Sequence, residues 1–323
     1  MAKHVANHFA CFAIFICVLT SGCATRGPLL SDTATELLDT PFYPQTRYQC
    51  GPAALATVLA ASGVNVTPDQ LTPRVYVPAR RGSLQVEMQA APRDFGRLAL
   101  ILPRHLEAIV QELQAGRPVL VLHNQGWWLW PRWHYAVVVG YDPGTDTFTL
   151  RSGRKRRQQM RTRHFMVYWH HAARWAMVVL RPGETAATDD PALFLETAAE
   201  FERVASPADS LAAFDSAVRR WPREPVAWIG RGTAHYRAGR YPAAASDYAA
   251  ALELDANQAG ARNNLAQVLL DLRCPHRAAA ELSRIDVETL PATLRDAIAA
   301  TMRDAVSAAS ETPEDPQMCA SFR

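Results

Sequence analysis

The spacing of apolar positions changes several times along the chain, and each change marks a different element. From Phe9 to Leu19 apolar residues run almost without a break behind Lys3. Eleven residues fall short of the about 20 needed to cross a bilayer; a short run with a basic lead fits the apolar core of an export signal. From Cys50 the spacing becomes helical. Leu55, Val58 and Leu59 fall at i, i+3 and i+4, most other positions are Ala, and Gly63 ends the pattern. Pro52 suits the first turn, where its missing N–H costs nothing. A second helix is announced by Thr67-Pro68-Asp69-Gln70, a capping box with Pro at the first helical position. A third runs from about His105 to Ala115, with Leu106, Ile109, Val110 and Leu113 on one face and Gly116 as its stop. Strand patterns then take over: Arg117–Leu122, His134–Tyr141, Thr147–Arg151 after an Asp142–Asp146 turn, and Trp175–Leu180. Helices followed by an antiparallel sheet predict an α+β domain over residues 35–183.

The pattern changes again after Gly183. Residues 184–190 are polar and turn-rich and read as a linker. Beyond them the chain is Ala-rich and helical, with a period of 34 from Pro191, Pro225 and Ala259. The middle unit carries Trp228, Gly232, Gly239, Tyr241, Ala244, Tyr248, Ala251 and Leu252. Phe194, Ala198, Phe214, Ala217 and Pro222 stand at matching places before it, and Leu265, Ala266, Ala278 and Leu282 after it. This pattern resembles the tetratricopeptide repeat. The resemblance implies an all-α solenoid of three repeats over 191–310, Leu290–Ser310 serving as a capping helix and 311–323 as a loose tail. Such arrays bind peptides or proteins on a concave face; a passive stabilising role is the alternative.

Composition refines this division without changing it. The chain has 323 residues, room for two domains, and 49% hydrophobic content excludes a wholly disordered chain. Residues 23–183 hold 19 basic and 10 acidic side chains; residues 184–323 hold 14 and 21. The sign change supports a boundary near 183. A net charge of +3 gives no argument for nucleic acid, and no nucleic-acid partner is expected. Leu19-Thr20-Ser21-Gly22-Cys23 resembles a bacterial lipobox, departing at Thr20, where that motif usually has Leu. The resemblance implies a signal peptide over 1–22, a lipid on Cys23 as membrane anchor and, because Ala24 rather than Asp follows, an outer-membrane lipoprotein facing the periplasm. Ordinary signal cleavage nearby is the alternative. Cys50, Cys274 and Cys319 then remain. Cys274 and Cys319 lie in the same domain and could pair, leaving Cys50 as the odd thiol.

Cys50 opens the small-residue helix, where the helix dipole and free N–H groups favour thiolate, the useful nucleophile. Gln45, Tyr48-Gln49-Cys50-Gly51-Pro52-Ala53-Ala54, the strand after Gly116 and His134-Tyr135-Ala136-Val137-Val138-Val139-Gly140-Tyr141-Asp142 together resemble the bacteriocin-processing peptidase-like branch of the papain-like cysteine peptidases. The resemblance implies that Cys50 is the nucleophile and His134 its acid–base partner. It also implies that Gln45 helps the Cys50 N–H hold the oxyanion. Losing one such donor commonly costs about 2.7–4 kcal/mol of transition-state stabilisation. In that family an Asp or Asn on the next strand orients the His. Here the stretch reads Leu150-Arg151-Ser152-Gly153, so Ser152 takes that place, uncharged; Asp142 is a nearby acid but reads as a turn residue, and a site without a third member is the remaining possibility.

His105, His123, His164, His170 and His171 show no metal-ligand spacing, and no cofactor is expected. Four tryptophans precede His134 in the loop Asn124–Trp133, as a substrate-lining loop, a packed loop or a docking face. Arg151–Arg163 carries seven basic residues and no acid, read as a solvated hairpin tip that near a membrane would meet anionic phosphates. The expected function is an envelope cysteine peptidase that cleaves a peptide or amide through a thioester, its repeats recruiting a protein partner. The competing readings are a non-catalytic peptide-binding scaffold and an acyltransferase using the same Cys/His pair.

Overall fold

Helix α1 (Cys50–Ala61) forms where the spacing predicts it and is buried along most of its length. In the computed structural model the described residues are 30–45, 48–127, 129–311 and Cys319. The export signal and Cys23 lie outside them, as does the tail apart from Glu311 and Cys319. Helix α2 (Pro68–Val75) carries the expected reciprocal capping box between Thr67 and Gln70. Helix α3 (Gln85–Ala90) follows, and α4 (Leu106–Gln114) is capped by the His105 side chain, which accepts from the Ala108 N–H.

The strands are β1 (Thr35–Glu36), β2 (Leu98–Ile101), β3 (Val119–Asn124), β4 (Trp133–Asp142), β5 (Thr147–Ser152), β6 (Lys155–Arg161) and β7 (Ala176–Leu180), with α5 (Thr162–His170) between the last two. They form one antiparallel sheet in the order β2-β7-β3-β4-β5-β6, and β1 adds to β4. The α+β class holds, but β1 and β2 precede α4, so helices and strands are less segregated than expected. The basic run is not a hairpin tip throughout. The tip is Gly153-Arg154; Arg151 belongs to β5, and the rest is the edge strand β6 and the start of α5. Charged edge strands resist pairing with other chains. Arg151 is buried and donates to the carbonyls of Leu38 and Thr40. His170 and His171 close α5.

Both faces of the sheet are covered, which is why β3 and β5 are buried at every position. Leu120, Leu122, Tyr135, Val137 and Val139 pack on one face with Leu55, Val58 and Leu59 of α1. Val119, Val121, Ala136, Val138, Phe148 and Leu150 pack on the other with Ile109, Leu113, Phe165 and Trp169. Phe194 and Phe214 join this second core. They come from α6 (Pro191–Glu202) and α7 (Pro207–Arg220), so the first helical pair is fastened to the sheet. Residues 184–190 are not a free linker. The Ala187 N–H donates to buried Glu112, Arg220 donates to the Ala186 carbonyl, and the Trp221 indole donates to Asp189.

Four helices follow in antiparallel pairs: α8 (Pro225–Arg237), α9 (Tyr241–Leu254), α10 (Ala259–Asp271) and α11 (Pro275–Leu282). The Tyr248 ring packs on the Gly232 backbone, as small residues at that repeat position allow. Helix α12 (Ala292–Glu311) closes the array. Cys274 and Cys319 form a disulfide, leaving Cys50 as the free cysteine among the described residues. No helix among the described residues is long and apolar enough to cross a membrane.

Candidate active site

Cys50 is the first residue of α1, reached through Tyr48, whose φ of 68° is left-handed. A bulky side chain seldom adopts that conformation, and such residues cluster at functional turns. Gln49 faces α2, where its Oε1 accepts from the Thr72 hydroxyl. The backbone N–H groups of Tyr135, Gly51 and Cys50 near the sulfur favour thiolate, but burial is the larger influence and pushes the thiol up. The expectation of a resting thiolate is therefore corrected. Helix-terminal N–H groups are present, yet desolvation outweighs them.

Gly51 permits this seating. A Cβ there would lie 2.1 Å from Ser83 Oγ and 2.6 Å from Ser83 Cβ, so α1 and the segment leading into α3 could not both keep their places. Gly51→Ala is expected to slow electrophile labelling of Cys50 by about tenfold or more, with a loss of about 1–3 kcal/mol in stability from overpacking. Labelling rates and denaturant midpoints of the two proteins check this.

The second residue of β4 is His134, and its Nε2 lies 2.9 Å from Ser152 Oγ at the end of β5. The Leu122 N–H donates to Trp175 on the β7 side. Its cross-strand partner Tyr135 therefore points its own N–H away from β3, past the end of β5. There it lies near the sulfur and favours thiolate. The Gln45 N–H donates to the Gly153 carbonyl, one residue beyond Ser152. The start of α1 with Cys50, the start of β4 with His134, the end of β5 with Ser152 and the Gln45 backbone thus lie at one end of the β4–β5 pair, the His134 side chain on the strand face of Ala136 and Val138 and Tyr135 on the face that packs against α1. A register shift between Leu150 and Ser152 where β5 meets β6 accompanies this turn.

Asp142 lies eight residues along β4 from His134, about 26 Å away at strand rise. Its carboxylate accepts from Gly144 and Thr145, and Asp146 accepts from the Tyr141 hydroxyl. Neither reaches His134.

Burial, with Arg132 nearby, lowers His134 to about 4. The resting state at neutral pH is consequently thiol and neutral imidazole. Directly across the strands lies His123, 1% exposed and lowered to about 3, chiefly by burial and then by His134. Neither of its ring nitrogens has a hydrogen-bond partner among the described residues, and its ring meets Phe165 edge-on at 4.9 Å. Behind Cys50 the Tyr135 hydroxyl donates to the Ser83 carbonyl, and burial, Cys50 and Glu87 all raise it.

Sequence reasoning missed His123, Ser83, Glu87 and the Tyr135 N–H. For His123 the alternation of β3 against β4 held the signal, since pairing the strands at Val121–Ala136 brings the two histidines opposite. The backbone donor has no sequence signature.

Residues 37–177 match the family model described as Peptidase_C39 like family, and residues 196–259 and 230–289 match the tetratricopeptide repeat model. No curated protein matches this chain. Three solved structures resemble parts of it. One is a Bacillus anthracis protein described as a C39-like peptidase, with 16% identity over 46% of this chain and 98% of that one, and a TM-score of 0.39. Another is the peptidase domain of Streptococcus ComA, with 19% identity over 44% and 98%, and a TM-score of 0.36. A third is the TPR2B domain of yeast Sti1 in complex with pHsp70, with 18% identity over 34% and 90%, and a TM-score of 0.33. The chain therefore carries a C39-like peptidase domain followed by tetratricopeptide repeats.

Proposed function

We propose that the first domain is an active cysteine peptidase that cleaves a peptide or related amide through a thioester on Cys50. Most support comes from a cysteine opening α1 near the backbone of Tyr135, the residue after His134, whose Nε2 is held by Ser152. With Nε2 engaged by Ser152, Nδ1 is the ring nitrogen left to serve the thiol. As the sulfur attacks the carbonyl carbon, the thiol proton passes to that nitrogen. The oxyanion is held by the Cys50 N–H and the Gln45 side-chain amide. The imidazolium then protonates the departing amine as the C–N bond breaks, and water, deprotonated by the same ring, hydrolyses the thioester. Ser152 acts as a positioning residue. Lacking charge, it stabilises the imidazolium less than a carboxylate would.

The repeats recruit a protein partner or substrate, and the chain is held in the bacterial envelope through lipid on Cys23, on the outer membrane facing the periplasm. The deciding experiment maps the adduct of a thiol-directed electrophile. Labelling of Cys50 much faster than a free cysteine peptide, lost in His134→Ala, supports the enzyme. Labelling no faster than the peptide supports the scaffold reading, which the uncharged Ser152 and the raised thiol favour. Turnover with and without added amine separates hydrolysis from acyl transfer.

The pH dependence follows from the two shifts. His134 must be neutral to take the thiol proton, so kcat/KM rises with pH through about 4. It falls above the ordinary thiol range, once the proton that the leaving amine needs is lost from the raised Cys50 pair. Ser152→Asp places a carboxylate on Nε2, favours imidazolium and moves the acid limb to higher pH. Profiles of both proteins measure it; an unmoved acid limb would show that His134 does not set it.

A further inference from the structure

The tryptophan loop remains outside the chemistry above. It is a tight hairpin: the Gln125 N–H donates to the Arg132 carbonyl, the Trp130 N–H donates to Trp127, and Asn124 Oδ1 accepts from both Gly126 and Arg132. Gly126 is packed so closely that a Cβ would lie 2.2 Å from the Trp130 carbonyl oxygen. This fixed scaffold presents large apolar groups outward. Trp127 is 63% exposed, Leu129 50%, Trp130 71% and Trp133 55%.

The antiparallel pairing of β4 and β5 brings the β5–β6 tip to the same end of the sheet. Arg154, Lys155 and Arg156 there are exposed and form no ion pair among the described residues. Arg132, between two of the tryptophans, adds to this rim. The acids Asp142 and Asp146 sit at the opposite end of β4. The first part of the chain is net positive over 23–183 and the second net negative over 184–323.

We propose that this end of the sheet docks on an anionic lipid bilayer, with the indoles of Trp127, Trp130 and Trp133 among the headgroups and Arg154, Lys155 and Arg156 against the phosphates. Indole, apolar in body and polar at its N–H, suits that boundary. Basic side chains near an anionic surface add attraction that salt screens. Cys50 and His134 then lie close to the bilayer surface. The proposal is independent of turnover, because the docking is read without a substrate.

Residues 24–323, which include every described element and no lipid attachment, are sedimented with phosphatidylcholine vesicles and with vesicles containing phosphatidylglycerol. Binding is expected to the second and to weaken with salt. The combined Arg154→Ala, Lys155→Ala and Arg156→Ala variant should lose affinity on the order of 100-fold. Trp127→Ala with Trp130→Ala should lose about tenfold or more. Both variants should keep the wild-type thermal midpoint and Cys50 labelling rate. Absence of vesicle binding, or binding that neither variant weakens, overturns the proposal. So does a raised KM for peptides in the tryptophan variant without vesicle binding, which would give the rim to the peptide.

Discussion

Alanine at Cys50 or at His134 is expected to lower peptide hydrolysis by on the order of 10⁴- to 10⁶-fold. Neither group works alone. Burial keeps the Cys50 thiol protonated, so without an adjacent base there is almost no nucleophile at neutral pH. Without the sulfur, His134 has no proton to accept and none to return to the amine. Because they act as a unit, the double variant should fall no further than either single one. The readout is turnover of a peptide pool by the 24–323 chain, with the thermal midpoint as a control for folding. Hydrolysis that persists in Cys50→Ala would remove this chemistry from the site. Ser152→Ala should cost far less, because the hydroxyl only positions the ring and no charge is lost with it.

Much of this site could be read from residue letters because its parts sit where chain geometry is most constrained. Pro52 suits a first helical turn and the apolar spacing behind it is helical, and α1 begins at Cys50. The capping box at Thr67 is local chemistry and appears as written. The 34-residue spacing is reproduced in the starts of α6, α8 and α10. What was not legible depends on long-range pairing. The sequence Lys155–Arg161 has almost no apolar face, so nothing marks it as a strand until β5 supplies its partner. The four-residue run Leu98–Ile101 is too short to tell strand from helix, and its identity comes from pairing with β7. The helix position alone favours thiolate at Cys50, but the opposing desolvation comes from the packing around it. Residues 184–190 have a linker's composition, and only the fold shows the carboxylate that pins them.

That carboxylate gives the largest expected change in stability. The Glu112 side chain is fully buried on α4. One oxygen pairs with the Arg117 Nε at 2.6 Å, and the other accepts the Ala187 N–H at 2.6 Å. Glu112→Ala leaves a largely buried guanidinium and a backbone N–H without their acceptor, and is expected to destabilise the protein by about 3–5 kcal/mol. Glu112→Gln keeps an acceptor for Ala187 and should lose less. The two outcomes separate charge from hydrogen bonding. Ala187 lies between the sheet and α6, and the packing of Phe194 and Phe214 on the sheet ties the same two parts together. Loosening the Ala187 anchor should therefore also reduce cooperativity. Urea unfolding followed by tryptophan fluorescence, which reports strongly on the sheet region, and by far-ultraviolet circular dichroism, dominated by the helices, should coincide in the parent and separate in Glu112→Ala. A variant within about 1 kcal/mol of the parent, with coincident curves, would mean that the apolar contacts alone join the peptidase domain to its repeats.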